Sequence, residues 1–359
     1  MKIKSLNTTQ QNFNKKLSEH LSLKQKSYQD IELVVDRILK NIQTNDDKGL
    51  LSLIKKYDNT SYKRISNSVV TQREILEAYS FIPKKIIQNL KKAIKNIKSF
   101  SKQQKLRSWS MNVKGSKLGE KVTPIERVGI YVPGGKASYP STVLMNAIPA
   151  KVAGVKDIIM VSPPTNGKLD PLVIVAADLC GVDMIYKFGG AHAIGALAYG
   201  TKSIDPVYKI VGPGNIYVAT AKKKVFGRVG IDSFAGPSEV LIIADQNTNP
   251  EFIAMDMFAQ AEHDELAQAI VISTSQSALD NVLRTIERKI KGEQRSGIIE
   301  QALRDRGALI KVRDLNEALK VVNLLSPEHL QLSILNASEF AKGVENAGAV
   351  FVGARTTEA

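Results

Sequence analysis

Cysteine is nearly absent from this sequence, and the single residue, Cys180, excludes an internal disulfide and any zinc site built from several thiolates. Long hydrophobic runs are missing as well, since no stretch reaches the roughly 18 apolar residues that a membrane-spanning helix requires. The first residues, MKIKSLNTTQQNFNKK, lack the apolar segment of a secretory signal. These absences predict a cytoplasmic protein that does not associate with membranes.

Acidic residues are scarce only in the first part of the chain. Residues 1–107 hold 23 of the 50 Lys and Arg residues but 9 of the 35 Asp and Glu residues, whereas residues 108–359 are nearly balanced at 27 against 26. A basic segment can bind nucleic acid. These lysines, however, are scattered along amphipathic helical patterns with few aromatic residues among them. We therefore interpret them as solvated helix faces and predict no nucleic-acid partner.

Hydrophobic periodicity divides the chain into a helical part and an alternating part. Through the first 110 residues, apolar side chains recur at helical spacing. From Arg127 onward, short apolar runs alternate with helical patterns, which is the rhythm of parallel sheets covered by helices. We predict an α/β fold of two Rossmann-like parallel-sheet modules, residues 127–237 and 238–359. A helical region, residues 1–126, precedes them, and part of it is expected to pack on the second module.

Ligands of parallel α/β folds bind at the carboxyl ends of strands, which directs attention to the strand-to-helix loops. Glycines in such loops permit tight turns and close approach to a phosphate. None of the loops here matches GxGxxG or a P-loop, so any one of them fits a plain turn equally well. Three unusual loops in the first module favour a dinucleotide lying across it. Four loops stand out: 131–142 with Gly134 and Gly135, 188–201, 211–219 and 234–240.

Polar residues that could carry chemistry lie in the second module. Gln260 and His263 are three residues apart in a helical pattern and are expected to share a face, as half of a zinc site would require. Glu328 and His329 are adjacent and could move protons separately. Either pair alone is also typical of an ordinary protein surface. Cys180 lies in an apolar helical stretch without a basic neighbour, which predicts a buried structural thiol.

Five segments together resemble the histidinol dehydrogenases, the enzymes that complete histidine biosynthesis. They are RVGIYVPGGKASYPSTVLMNAIPAKVAGV, GPGNIYVATAK, IDSFAGPSEVLIIAD, AQAEHDE and LSPEHLQL, and they occur in the family's order at near-family spacing. The resemblance is strong over about residues 120–353. It implies oxidation of L-histidinol to L-histidine through L-histidinaldehyde, with two NAD⁺, one Zn²⁺ and a homodimeric enzyme.

The resemblance also implies roles for single residues. Tyr131, His192 and Asn215 would contact the cofactor, with His192 standing where the family pattern GGAQAI has glutamine. Zinc would be bound by Gln260 and His263. Substrate contacts are implied for five residues of the second module: Ser238, Gln260, His263, Glu328 and His329.

Glu328 and His329 would form the catalytic pair, with His329 as the general base and Glu328 activating water for hydration of the aldehyde. The family's C-terminal tail, with further site residues and contacts to the partner subunit, is not in this sequence. We therefore expect a C-terminally truncated member in which zinc keeps two protein ligands. One alternative is a catalytically impaired homologue that retains the fold and NAD binding. Another is a zinc-dependent dehydrogenase of a different amino alcohol or polyol.

Overall fold

The computed structural model describes residues 3–22, 26–134, 139–233 and 238–356. It divides the chain into two compact units, residues 25–235 and residues 1–24 together with 236–359. The helical region expected at residues 1–126 is thus shared, its first 24 residues belonging with the second module and the remainder with the first. No helix in these described ranges is long and apolar enough to cross a membrane.

Regular elements occupy most of the described residues. The strands are β1 (Lys4–Asn7), β2 (Trp109–Val113), β3 (Ser116–Glu120), β4 (Arg127–Tyr131), β5 (Asp157–Ser162), β6 (Met184–Lys187), β7 (Lys209–Val211), β8 (Gly230–Ile231), β9 (Glu239–Ala244), β10 (Gln268–Ser273), β11 (Ala308–Lys311), β12 (His329–Ser333) and β13 (Ala349–Val352). The α-helices are α1 (Phe13–Leu21), α2 (Lys26–Tyr57), α3 (Gln72–Phe81), α4 (Lys84–Gln103), α5 (Pro140–Ala153), α6 (Pro171–Leu179), α7 (Gly190–Tyr199), α8 (Ile216–Val225), α9 (Pro250–Ala261), α10 (Gln276–Lys289), α11 (Ser296–Arg306), α12 (Leu315–Leu325) and α13 (Ala337–Ala341).

The unit of residues 25–235 is built on a five-stranded parallel sheet in the order β6-β5-β4-β7-β8. Successive residues of a strand point to opposite faces, so Val128 and Ile130 join a core with α5 and α6, whereas Tyr131 joins one with α2 and α7. The chain leaves β4 toward β5 and β6 on one side and returns to β7 on the other. This reversal creates a switch point between β4 and β7, where doubly wound folds bind ligands.

Strands β2 and β3 form an antiparallel hairpin in the same unit. All of its strand residues are exposed, including Trp109, which is 54% accessible. This hairpin is not predicted from the sequence. Its period-two alternation of Trp109, Met111 and Val113 is a strand pattern, but it is short and follows a long helical stretch.

The second unit contains a six-stranded parallel sheet in the order β1-β11-β10-β9-β12-β13. Its central strand is β9, from which the chain passes through β10 to β11 on one side and reaches β12 and β13 on the other. The first unit is connected in the same way around β4, which confirms the prediction of two Rossmann-like modules. Strand β1 adds to the edge by pairing Leu6 with Ile310, although it lies in the region expected to be helical.

The segment 188–201, expected to be a loop, is largely helix α7. Helix formers alternate there with glycines, and the glycines suggested turns. Gly195 instead allows α7 to approach α2, because a Cβ at this position would lie 2.7 Å from Cδ1 of Ile42. Cys180 is buried at the end of α6, as predicted, and burial raises the pKa of its thiol to about 12.

Candidate active site

Tyr131 lies at the switch point of the first sheet. It is the last residue of β4 and is 3% exposed, and its hydroxyl oxygen accepts a hydrogen bond from the backbone N–H of Gly190 at 3.0 Å. Burial raises the pKa of Tyr131 to about 12. The phenol therefore stays protonated at neutral pH and keeps an O–H that can donate to a ligand.

Asn215 lies across the same switch point, at the start of α8. Its Oδ1 accepts hydrogen bonds from the backbone N–H groups of Tyr217 and Val218 at 3.1 and 3.2 Å, which leaves Nδ2 as the donor available to a ligand. The preceding turn contains Gly212, whose φ is +109°. A Cβ at Gly212 would lie 2.1 Å from the carbonyl oxygen of Tyr131, so glycine is needed for this close approach.

His192 is buried in α7 at 1% exposure. Its Nε2 lies 2.8 Å from Oδ2 of Asp58, and since a carboxylate only accepts, Nε2 is the donor. Oδ1 of Asp58 accepts a second hydrogen bond from the N–H of Gly189 at 3.2 Å, and the ring of Tyr57 stacks on the imidazole with centroids 5.9 Å apart. His192 and Asp58 thus hold the Gly189–Gly190 turn. A direct contact of His192 with a cofactor remains a prediction.

A cavity of about 580 Å³ opens beside the carboxyl ends of β4 and β5. Its size lies within the range of small-molecule and cofactor sites. Gly134, from the first of the glycine loops, lines it, while Gly135 is outside the described residues. The polar residues on its wall are not predicted from the sequence: Glu74, Glu77, Ser162, Thr165, Lys168 and Asp170.

In the second unit, the residues expected to bind substrate lie at the amino edge of the sheet, where Glu328 and His329 come at the start of a short strand as the sequence predicts. His329 begins β12 and pairs with Val240 and Ala349, and Ser238 immediately precedes β9. The loop 234–240, expected to enter a helix, leads into β9, and its residues 234–237 lie outside the described ranges. In the first sheet, by contrast, the residues expected to contact the cofactor, Tyr131, His192 and Asn215, all lie at or beyond the carboxyl ends of strands.

Glu328 is anchored to the beginning of β9. Its Oε2 accepts a hydrogen bond from the backbone N–H of Glu239 at 3.2 Å. Burial raises the pKa of the Glu239 carboxyl, Arg306 opposes this shift, and the nearby Glu328 carboxylate adds to it. The ring of His329 is half-buried and meets the ring of Phe351 edge-on, with centroids 6.0 Å apart. The acid thus contacts the start of β9, and the imidazole contacts Phe351.

Gln260 and His263 do not share a helix face, which corrects the sequence prediction. Helix α9 ends at Ala261, and His263 follows it as an exposed residue. Gln260 is 2% exposed, and neither atom of its amide has a hydrogen-bond partner within the described residues. A buried amide without partners is costly unless a ligand binds it. The same described ranges contain no group of three or more His, Cys, Asp or Glu side chains able to hold a metal.

A hydrogen bond connects α9 to β12 below these residues. Nε2 of Gln331, which is 1% exposed, donates to Oδ2 of Asp256 at 2.6 Å. Asp256 precedes Gln260 by one helical turn, and Gln331 follows His329 on the same face of β12. This bond fixes the helix that carries Gln260 relative to the strand that carries His329. Neither Asp256 nor Gln331 is predicted as a site residue from the sequence, because neither lies in a motif of its own.

Comparison with known proteins identifies the family. The family model described as histidinol dehydrogenase matches residues 21–359. The chain belongs to the histidinol dehydrogenase family. It is therefore an oxidoreductase of histidine biosynthesis.

Histidinol dehydrogenases from several bacteria are similar to this family member over its full length. The chain is 47% identical to that of Neisseria gonorrhoeae over 357 residues, covering 99% of this chain and 83% of the relative. It is 46% identical to that of Nitrosomonas europaea over 360 residues, covering 100% of this chain and 83% of the relative. The crystal structure of histidinol dehydrogenase from Elizabethkingia anophelis matches with a TM-score of 0.91 and 36% identity, covering 99% of this chain and 81% of the other.

Proposed function

We propose that this histidinol dehydrogenase family member oxidises L-histidinol to L-histidine through L-histidinaldehyde, with NAD⁺ and zinc. The observation that carries the proposal is the amino edge of the second sheet. There, Glu328 and His329 stand beside Ser238, as the resemblance to the family requires, and Gln260 supplies a buried amide that has no hydrogen-bond partner among the described residues. Whole-chain similarity to histidinol dehydrogenases favours histidinol over another amino alcohol or a polyol.

The first unit fits a dinucleotide. The protonated hydroxyl of Tyr131 and the Nδ2 of Asn215 are donors on the two sides of the switch point. The cavity bordered by Gly134 lies beside the carboxyl ends of β4 and β5, and neither Tyr131 nor Asn215 lines it. NAD⁺, when bound, accepts the hydride in each of the two oxidations. His192 would contribute through Asp58, which it binds and which accepts the hydrogen bond from the N–H of Gly189, while Tyr131 accepts the one from the N–H of Gly190.

Gln260 and His263 fit two positions of a zinc donor set. The amide oxygen of Gln260 accepts no hydrogen bond from the part of the chain that the structure describes, and the exposed imidazole of His263 is a common zinc ligand. Zinc, when bound, polarises the hydroxyl oxygen of an alcohol and lowers its pKa. The hydrogen bond from Gln331 to Asp256 would keep Gln260 at a constant separation from His329.

The proposed proton transfers divide between two side chains. His329, as general base, takes the hydroxyl proton of histidinol while the aldehyde forms. Glu328 then removes a proton from water as the water adds to the aldehyde, and His329 accepts the hydroxyl proton of the hydrate in the second oxidation. The homodimer and the cytoplasmic location expected from the sequence remain predictions.

Production of NADH from L-histidinol by the purified protein, with zinc supplied, tests the proposal. We expect two NADH for each L-histidine formed. The matched measurement starts from L-histidinaldehyde and should give one NADH. A folded, zinc-supplied protein that binds NAD⁺ but forms no NADH from either compound would contradict the proposed reaction.

Variants of the catalytic pair separate the two oxidations. His329→Asn should reduce turnover of both histidinol and histidinaldehyde by about 100-fold or more, since general bases contribute that much, while NAD⁺ affinity stays near wild type. Glu328→Gln should slow histidinaldehyde oxidation more than histidinol oxidation. Equal slowing of both steps by Glu328→Gln would contradict its role toward water.

A further inference from the structure

Lys222 is a buried cation in the first unit. It lies on α8 at 4% exposure, next to Lys223, whose side chain is 65% exposed. Burial of an ammonium group is unfavourable unless partners compensate it. Lys222 has two such partners: its Nζ donates to the carbonyl oxygen of Gly212 at 3.0 Å and to Oδ1 of Asp232.

Asp232 completes a clamp on the same glycine. Its Oδ2 accepts a hydrogen bond from the backbone N–H of Gly212 at 2.8 Å, and its Oδ1 also accepts from the N–H of Ser233 at 2.8 Å. Both polar backbone groups of Gly212 are therefore bound by charged side chains. Charge-assisted hydrogen bonds are about twice as strong as neutral ones, so the turn is held firmly.

The clamped glycine contacts one candidate cofactor residue of the switch point and precedes the other in the chain. Gly212 is pressed against the backbone of Tyr131, and Asn215 follows it by three residues. Buried ion pairs are often no more stabilising than apolar replacements, so stability alone does not account for a lysine here.

We propose that Lys222 and Asp232 are positioning residues for dinucleotide binding, which fix the turn 212–215 so that Asn215 and Tyr131 are presented together. The inference rests on the proposed use of NAD⁺. Neither side chain is required to touch the cofactor, and both act through Gly212. The expected signature is a loss of NAD⁺ affinity that leaves the affinity for histidinol unchanged.

Lys222→Met tests the proposal, because methionine matches the length of the lysine stem and removes the ammonium group. Lys223→Met on the same helix is the control. We expect the dissociation constant of NAD⁺, measured by calorimetry, to rise about tenfold or more in Lys222→Met, as loss of a charged hydrogen-bond partner implies. Lys223→Met should stay within about twofold of wild type. The KM for NAD⁺ should rise in parallel, while the KM for histidinol does not.

Asp232→Ala provides a second variant should Lys222→Met fail to fold, since the Asp232 side chain is one-third exposed. It should weaken NAD⁺ binding in the same direction. A folded Lys222→Met or Asp232→Ala protein with unchanged NAD⁺ affinity would overturn the inference, as would an equal rise of both KM values. A wild-type protein that binds no NAD⁺ would instead refute the proposed cofactor, and the inference with it.

Discussion

Gln260 combines deep burial with an amide that has no hydrogen-bond partner within the described residues. Such a group lowers the free energy of unfolding, because each buried polar atom without a hydrogen bond costs about 1–3 kcal/mol. Gln260→Met keeps the approximate size of the side chain and removes both polar atoms. In the absence of metal, we therefore expect its free energy of unfolding to exceed that of the wild type by about 1–3 kcal/mol.

The measurement is urea unfolding in the presence of a chelator, repeated with zinc. Gln268 is the matched control, since it is also buried but its Oε1 accepts a hydrogen bond from Arg306 at 3.0 Å. Gln268→Met should destabilise the protein by about 1–3 kcal/mol, opposite in sign to Gln260→Met. Zinc should stabilise the wild type by mass action and leave Gln260→Met unaffected. If Gln260→Met is less stable than the wild type without metal, the amide is satisfied in the native protein and the reasoning fails.

Two further predictions concern charged groups in each unit. His192→Leu leaves Asp58, whose side chain is 5% exposed, without its imidazole partner. The free energy of unfolding should therefore fall by about 3 kcal/mol in a denaturation assay. His192→Gln retains a hydrogen-bond donor and should lower it much less. Burial opposes ionisation of Glu317, but hydrogen bonds from Arg313 and Thr8 prevail and lower its pKa to about 2. A carboxyl group whose pKa is lowered by folding stabilises the folded state at pH values above the pKa of the unfolded state. This stabilisation is lost as the pH falls toward the folded-state pKa. Thermal unfolding midpoints should therefore fall between about pH 4.5 and pH 2 in the wild type and vary less in Glu317→Gln.

The sequence predicts the two parallel sheets well because their strands are runs of β-branched residues between turn formers. Prediction from the sequence fails where the packing around a residue decides its secondary structure. Gly195 resembles a loop glycine, and only the packing of α7 against α2 explains its presence in a helix. The short segment at Lys4–Asn7 becomes a strand through its pairing with β11, three hundred residues away in the chain.

The candidate site shows the same division. Glu328, His329 and Gln260 could be identified because they lie in long family motifs. The end of α9 before His263 could not be predicted, because the residues that follow Ala261 are also compatible with a helix. Lys222 is the last residue of the segment GPGNIYVATAK, yet three consecutive lysines give no sign of which one is buried. Asp58 and Gln331 bind partners 134 and 75 positions away in the chain, and such a separation hides a contact. Asp232 binds Lys222 only 10 positions away, but nothing in the sequence marks the pair.

The amino-edge location of Glu328 and His329 has a consequence for how the second unit can change over time. Its carboxyl edge, where β9, β10 and β12 end, holds none of the proposed chemistry. The connections that leave this edge, such as residues 245–249 and 334–336, are constrained by the fold alone. Oδ2 of Asp245 accepts a hydrogen bond from the N–H of Leu335 at 2.9 Å, and Asn249 caps α9, so substitutions there should change stability rather than the proposed chemistry.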